Sequence, residues 1–142
     1  WLLNVRGGDV RHSPLCLASA LLHADAGVDL FVEPAKTSDA LRAHLGEGVR
    51  LHPPAALPGA IAGLCGSRVG ADPASTAAWF FDRLQAAGAE PVRGPDPCVR
   101  PRACKNATEI EGARRAHLRD GLVLTRFLHW LIEREVQSLT GR

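Results

Sequence analysis

The stretch KNATEIEGARRAHLRDGLVLTRFLHWL, residues Lys105–Leu131, is the longest helical pattern in the sequence. Thr108 and Glu111 have the T-x-x-E spacing of a capping box, so we expect the helix to begin there. After this cap one apolar face recurs every three or four residues, as an amphipathic helix requires. Its members are Ile110, Ala113, His117, Gly121, Leu124, Leu128 and Leu131. The pattern continues through Val136, which predicts a helix of about 30 residues, far above the usual mean of roughly 11–12.

This long helix stands at the end of the sequence, where no further segment follows to cover its apolar side. Uncovered apolar faces of this size are unusual in isolated soluble domains. We therefore interpret it as the first helix of a second domain whose remainder is missing here.

Length and composition indicate an ordinary globular protein. The 142 residues suit one domain, or one domain and an additional piece. Hydrophobic residues make up 46% and charged residues 23%, and the net charge is only +2, which gives no indication of binding to nucleic acid or to an anionic membrane. No apolar run approaches the roughly 18 residues of a membrane span.

The four cysteines, Cys16, Cys65, Cys98 and Cys104, contain no C-x-x-C pair and no zinc-site spacing. We interpret them as free thiols in a reducing cytoplasm, with a Cys98–Cys104 disulfide as the alternative. The six histidines form no H-x-x-x-H or H-E-x-x-H pair, so none is assigned to a metal.

The chain begins with a short apolar segment, Trp1–Val5, which predicts a strand leading into a loop at Gly7. Arg6 and Asp9 flank the glycines of this loop. Two interpretations are open: the two side chains pair with each other or cap the turn, or they face a cleft.

Strand and helix patterns alternate through the middle of the chain. Leu15–His23 and Val28–Val32 are separated by a short connector with a glycine, which predicts a hairpin. Helices and strands then alternate. A helix capped by Thr37 or Ser38 and ended by Gly46 leads to strand Val49–His52, and helix Leu57–Leu64 leads to strand Arg68–Ala71. Helix Ala77–Ala87, capped by Ser75 or Thr76 and burying Trp79 or Phe80 with Leu84, leads to strand Glu90–Val92. This order indicates an α/β fold with a largely parallel sheet and antiparallel strands from the hairpin. Gly94–Pro101, with three prolines, predicts a domain boundary.

Two motifs resemble those of Xaa-Pro aminopeptidases (aminopeptidase P), metallopeptidases of the creatinase/prolidase-like family. One resembles the opening of the catalytic domain: Lys105-Asn106-x-x-Glu109-Ile110-Glu111-Gly112-x-Arg114-x-Ala116-His117-x-Arg119-Asp120-Gly121, with Arg126-Phe127 and Trp130-Leu131. The other resembles the start of the preceding domain: Trp1-Leu2-x-Asn4-x-Arg6-Gly7-x-Asp9, then Pro14. Asp72-Pro73 and Pro97 also match the family pattern.

The resemblance implies a mixed sheet flanked by helices, of the ribonuclease-H-like type, followed by one long helix. It divides the chain into a non-catalytic creatinase N-terminal-like domain at 1–97, a linker at 98–107, and the first helix of a truncated catalytic domain at 108–142. The first of these would wall the substrate cleft and support a homodimer.

The resembled enzymes remove the N-terminal residue from peptides with proline second. They use two divalent metal ions, usually manganese, held by two Asp, one His and two Glu that lie beyond residue 142. We therefore assign no catalytic residue and no metal ligand, and expect this cytoplasmic chain to be inactive alone. The resemblance places Arg6, Asp9 and His117 at the substrate cleft, with a buried structural role as the alternative for His117. The rival functions are a non-catalytic interaction module or dead homologue, and a related Xaa-Pro dipeptidase or creatinase-like hydrolase.

Overall fold

The structure is a computed structural model that describes residues 1–140, with side chains described through residue 135. It divides into two compact units, Trp1–Val99 and Arg100–Arg142.

A mixed three-stranded sheet occupies the first half of unit one. β1 (Ser19–Leu22) pairs antiparallel with β2 (Val28–Phe31), which pairs parallel with β3 (Val49–His52). The order is β1-β2-β3, so β2 is central, and its apolar side chains are buried. The predicted hairpin and its connector are confirmed.

Short helices follow β2 and β3. After a 3-10 turn at Pro34–Lys36, α1 (Asp39–Leu45) begins where the Ser38 Oγ accepts the N–H of Leu41 at 3.2 Å. It ends at Gly46, whose φ of 69° suits glycine. A second 3-10 turn at Pro54–Ala56 leads into α2 (Leu57–Ala62), which has proline in its first turn, as predicted.

A second, two-stranded sheet completes unit one. β4 (Arg68–Ala71) pairs parallel with β5 (Glu90–Arg93), and α3 (Ala78–Ala86) connects them. The strand boundaries match the prediction almost residue for residue. We expected one largely parallel sheet, however, and the described residues form two separate sheets.

The helix α3 differs from the prediction at its cap and at its buried face. Ala77 is the N-cap and makes no side-chain bond, so neither Ser75 nor Thr76 caps the helix. The Asp72 carboxylate and carbonyl organise this turn instead, accepting the N–H groups of Ala74 (2.8 Å) and Thr76 (2.8 Å). Leu84 is buried as predicted, together with Phe81.

The small core of this half contains Ile61, Leu84 and Ala89. The sequence predicted that either Trp79 or Phe80 would be buried with Leu84. Phe80 is partly buried and packs against this core. Trp79, the other alternative, is 38% exposed and lies edge-on to Phe80.

The prediction of a strand at Trp1–Val5 is wrong. The N–H of Asn4 donates to the carbonyl of Trp1 at 2.9 Å, which closes a turn. Asn4 has a φ of 50°, in the left-handed region that asparagine tolerates and strands do not use.

Unit two contains a short helix, α4 (Val99–Ala103), which begins at the boundary, and the long α5 (Ala107–Thr140). The long helix is confirmed, but its cap is not Thr108. Asn106 Oδ1 accepts the N–H of Glu109, and Glu109 Oε2 accepts the N–H of Asn106, both at 2.9 Å. This reciprocal pair is a capping box two residues earlier than predicted.

The apolar side chains of α5 are exposed in unit two. They include Leu118, Leu122, Val123, Leu124, Phe127, Leu128, Trp130, Leu131 and Ile132. At 100° per residue these positions are distributed around the whole circumference, not along one stripe. Charged residues such as Arg119, Asp120 and Arg126 lie among them, so the exposed apolar surface of α5 is not confined to one face.

No helix within residues 1–140 combines the length and apolar character needed to cross a membrane. In the same described part of the chain, none of the four cysteines forms a disulfide.

Candidate functional site

The loop that carries Arg6 and Asp9 is held together by the Asp9 carboxylate. Its Oδ2 accepts the N–H of Leu17 at 2.7 Å and the ammonium of Lys36 at 2.8 Å. The Asp9 backbone N–H also donates to the Leu15 carbonyl at 3.1 Å. The Asp9 side chain therefore joins the loop to the segment that precedes β1, through Leu17, and to the first 3-10 turn, through Lys36.

These contacts favour the charged forms of both partners. The hydrogen bond from Lys36, and then the Leu17 N–H, lowers the pKa of Asp9 below its ordinary value. The same hydrogen bond to Asp9 raises the pKa of Lys36. The loop therefore carries a fixed ion pair at neutral pH.

Arg6 is exposed and directs its guanidinium to a different residue. Its Nη1 donates to Asn4 Oδ1 at 2.9 Å. Among the described side chains no ion pair joins Arg6 to Asp9. The two residues flank the same loop but contact different partners, Asn4 and Lys36. The interpretation in which they pair with each other is therefore wrong.

Gly7 lets this loop approach the next segment closely. A Cβ at this position would lie 2.7 Å from both Cα and Cβ of Cys16, closer than side-chain carbons approach in proteins. Only glycine fits there without movement of the backbone.

His117 lies on α5 in unit two and is exposed. Arg6 and Asp9 belong to the N-terminal loop of unit one.

A second polar cluster, which the sequence analysis did not identify, is centred on Asp29 in β2. Its Oδ2 lies 2.6 Å from His23 Nε2, and its Oδ1 lies 2.6 Å from Arg50 Nε and 2.8 Å from His52 Nε2. The Asp29 side chain is 15% exposed. Hydrogen bonding by Arg50, and then by His52 and His23, holds the pKa of Asp29 well below its ordinary range.

The sequence did contain a signal for this cluster. Asp29 is an acid inside the apolar strand Val28–Phe31, where acids are disfavoured and must find partners if they are covered. The partners come from positions 23, 50 and 52, and only the register of the sheet brings them to one carboxylate.

The residues that the structure describes do not fit a metal site. In the described part of the chain, no group of three or more His, Cys, Asp or Glu side chains could hold a metal ion. The Asp29 cluster illustrates the reason: both carboxylate oxygens accept N–H donors, and the Arg50 guanidinium opposes a cation.

The sequence profile of the Creatinase/Prolidase N-terminal domain matches residues 1–109. The chain belongs to this family. This match covers the N-terminal loop, both sheets and the start of α5, so it includes every element that holds Asp9 and Asp29.

Several relatives are similar to this chain in sequence. A probable Xaa-Pro aminopeptidase P from Coccidioides posadasii is 33% identical over 141 residues, covering 92% of this chain and 23% of the relative. Xaa-Pro aminopeptidase 1 from Dictyostelium discoideum is 30% identical over 140 residues, covering 97% of this chain and 22% of the relative. The chain therefore spans less than a quarter of the length of these relatives.

A solved structure agrees with the fold over the entire chain. The X-prolyl aminopeptidase of Caenorhabditis elegans, described as a cytosolic enzyme with a di-nuclear active site, has a TM-score of 0.81 at 26% identity. The match covers 100% of this chain and 23% of the nematode enzyme. The predicted mixed α/β fold followed by a long helix is thereby confirmed.

Proposed function

We propose that this chain is part of a Xaa-Pro aminopeptidase, which removes the N-terminal residue from peptides with proline second. In this proposal 1–97 is a non-catalytic domain, 98–107 is a linker, and 108–142 is the first helix of the catalytic domain. The complete enzyme is cytoplasmic and homodimeric and uses two divalent metal ions, manganese being the proposed metal. Their ligands lie outside residues 1–142.

The match to the nematode X-prolyl aminopeptidase is the observation that carries this proposal, because it extends across both units with a TM-score of 0.81. A match restricted to unit one would support only a shared non-catalytic domain. The inclusion of α5 supports a protein in which the second unit continues into a larger domain.

The exposed apolar side chains of α5 support the same division of the chain. Leu118, Val123 and Leu128 lie on different sides of the helix, so one neighbouring surface cannot cover them all. The proposed catalytic domain, packed around α5, supplies the missing neighbours. This burial would be favourable by roughly 25 cal/mol for each Å² of apolar surface covered.

The N-terminal loop is the proposed contribution of unit one to the substrate cleft. Asp9 is engaged by Lys36 and Leu17 and fixes the loop, whereas Arg6 is exposed and oriented by Asn4. An arginine carries five N–H donors, so the guanidinium of Arg6 can bind peptide carbonyl or carboxylate oxygens as well as Asn4. We assign Arg6 to peptide contact, Asp9 to positioning of the loop, and His117 to the edge of the active site.

Hydrolysis of a short Xaa-Pro-Xaa peptide with added manganese tests the proposal, using the 142-residue chain and the longer protein that contains it. We expect cleavage before proline only by the longer protein. Absence of cleavage by both favours a non-catalytic homologue, and cleavage of Xaa-Pro dipeptides alone favours a dipeptidase. Cleavage by the 142-residue chain itself contradicts the location of the metal ligands outside it.

A further inference from the structure

Arg6 lies on a short span of chain, residues 3–9, whose two ends are hydrogen-bonded to the same distant segment. At one end, the Leu3 carbonyl accepts a hydrogen bond from His44 Nε2 at 3.1 Å. At the other end, Asp9 Oδ2 accepts the ammonium of Lys36 at 2.8 Å. The partners are 41 and 27 positions away in the sequence, so neither contact follows from local chain geometry.

Both partners belong to the segment 34–45, which consists of the first 3-10 turn and α1. Lys36 ends the turn, and His44 lies in the last turn of α1. The segment is itself well bonded, because Thr37 Oγ1 donates to the Pro34 carbonyl at 2.7 Å and the Ser38 cap starts α1. Since the segment connects β2 to β3, its position follows that of the first sheet.

The two contacts differ in chemistry. The bond between Lys36 and Asp9 joins two charged groups, so it is stronger than a bond between neutral groups. A carbonyl oxygen can only accept, so Nε2 of His44 carries the proton in its bond to Leu3. The side chains of the ion pair are partly exposed, 35% for Lys36 and 19% for Asp9, and such pairs contribute little to folding stability. We therefore expect them to determine the position of the span more than the stability of unit one.

We propose that Lys36 and His44 are positioning residues for Arg6, which hold the span 3–9 at both ends so that the Arg6 guanidinium meets a bound peptide in one place. This inference rests on the proposed function, in which Arg6 contacts the peptide. One attachment would let the span rotate about it, whereas two attachments on either side of Arg6 also fix its direction. Groups that bind substrate need such support, because a displacement of about 1 Å can cost about a hundredfold in rate.

Amide hydrogen exchange in the longer protein measures the positioning itself. We expect Lys36→Met to accelerate exchange by about fivefold or more at Asp9 and Leu17, whose N–H groups are hydrogen-bonded at the loop. Lys36→Arg keeps an ion pair with Asp9 and should restore the slower exchange. Arg42→Met is the matched control, because it removes a positive charge from the same segment but breaks a bond of 3.3 Å to Thr37 that stays within it. Unchanged exchange in Lys36→Met overturns the inference.

A general loss of stability would have a different exchange pattern. It would also accelerate amides of the central strand region, such as Val28 and Val32, which donate to Gly48 and His52 at 2.9 Å. We expect these two amides to keep the exchange rate of the parent in Lys36→Met. Equal acceleration at the loop and in the sheet would make Lys36 a structural residue and overturn the inference.

Steady-state kinetics with an Xaa-Pro-Xaa peptide test the consequence for the substrate. Lys36→Met should raise KM by about threefold or more and leave kcat within about twofold, as expected when binding is lost equally in the ground and transition states. The increase should not exceed that of Arg6→Ala, because a displaced guanidinium loses at most its whole contact. Lys36→Arg should restore KM, and Arg42→Met should leave it unchanged. An unchanged KM in Lys36→Met beside a raised KM in Arg6→Ala contradicts the inference.

A double-mutant cycle tests whether Lys36 acts through Arg6. In the Arg6→Ala background, Lys36→Met should have no further effect on kcat/KM, because the group that Lys36 positions is absent. Losses that multiply would show that Lys36 acts on another group, and the inference would be wrong. The same cycle at the other attachment uses His44→Ala, with His44→Gln as the variant that keeps an N–H donor for the Leu3 carbonyl.

The exchange and kinetic results together separate this inference from the assignment of Arg6. If Arg6→Ala leaves kcat/KM unchanged, the proposed peptide contact is wrong. Faster loop exchange in Lys36→Met then still supports the attachment of the span to the segment 34–45, because exchange does not depend on peptidase activity. If Arg6→Ala lowers kcat/KM but loop exchange is the same in all variants, only the positioning inference fails.

Discussion

His52 Nε2 lies 2.8 Å from Oδ1 of Asp29, and the His52 ring also stacks on Phe31 with centroids 5.2 Å apart. The first contact joins β3 to β2 through a polar bond, and the second joins the same strands through an apolar one. His23, which follows β1, bonds the other oxygen of Asp29. A single carboxylate therefore links all three strands of the first sheet.

The substitution Asp29→Asn should destabilise unit one. The amide keeps one acceptor oxygen but loses the negative charge that pairs with Arg50. Its NH2 group is a donor and cannot accept the hydrogen bonds that the second carboxylate oxygen accepts. We expect a loss of about 1.5–3 kcal/mol in the free energy of unfolding, the range for hydrogen bonds to charged groups. Urea unfolding measures it. Asp82→Asn, at an exposed position of α3, is the matched control and should stay within about 0.5 kcal/mol of the parent.

The contribution of Asp29 should depend on pH with a definite sign. Its pKa is lowered in the folded state, from an ordinary value of 3.8, by Arg50 and then by His52 and His23. The stabilisation is therefore fully present above the unfolded pKa and is lost as the pH falls towards the folded one. Below pH 3.8, the difference in unfolding free energy between the parent and Asp29→Asn should shrink by up to about 1.4 kcal/mol per pH unit. A difference that stays constant between pH 5 and pH 3 contradicts this assignment.

Gly7→Ala should disturb the N-terminal loop, whereas Gly8→Ala should not. The added methyl group at position 7 meets the backbone and Cβ of Cys16 at 2.7 Å, and nothing lies within 4 Å of the same group at position 8. We expect Gly7→Ala to cost about 1–3 kcal/mol, the usual range for overpacking. Thermal unfolding of the two variants compares them directly. Similar unfolding temperatures would mean that the loop moves away from Cys16 at little cost.

The elements that sequence patterns predicted best are those with local signals at both ends. Val49–His52 alternates apolar and polar residues and is stopped by prolines, and Arg68–Ala71 lies between turn residues. Both strands were predicted with the boundaries observed. Trp1–Val5 is more apolar than either, yet the turn at Asn4 prevents a strand. Composition alone does not reveal a left-handed residue, so this segment was mispredicted.

The polar contacts were less predictable because their partners are distant in sequence. Asp9 was identified as a candidate, but its partner Lys36 lies 27 positions away and has no local relation to it. The Asp29 cluster requires the register of two strand pairs, which periodicity does not fix. The long helix was recognised from its period, whereas its cap was misplaced because two overlapping stretches satisfy the capping-box pattern.

Asn106→Ala should weaken the start of α5, whereas Thr108→Ala should have little effect. Asn106 Oδ1 accepts the N–H of Glu109 at 2.9 Å, so alanine leaves this helix N–H without its acceptor. We expect a cost of about 1 kcal/mol, typical of a lost N-cap. Exchange of the amides in the first turn of α5 measures the change. Faster exchange in Thr108→Ala than in Asn106→Ala would return the cap to Thr108.

Arg6→Ala in the longer protein tests the proposed role of the N-terminal loop in peptide binding. Arg6 is exposed and donates to Asn4 within the same loop, so its removal should leave thermal stability nearly unchanged. If its guanidinium binds a peptide oxygen, the lost charged hydrogen bond is worth roughly 1.5–3 kcal/mol, which lowers kcat/KM for an Xaa-Pro-Xaa peptide by about tenfold or more. Arg11→Ala is the matched control, because Arg11 is exposed in the same loop and has the same charge, and it should keep kcat/KM within about twofold of the parent. Equal losses of activity in the two variants would indicate a general effect of positive charge, and a fall in stability without a specific loss of kcat/KM would make Arg6 a structural residue of the loop.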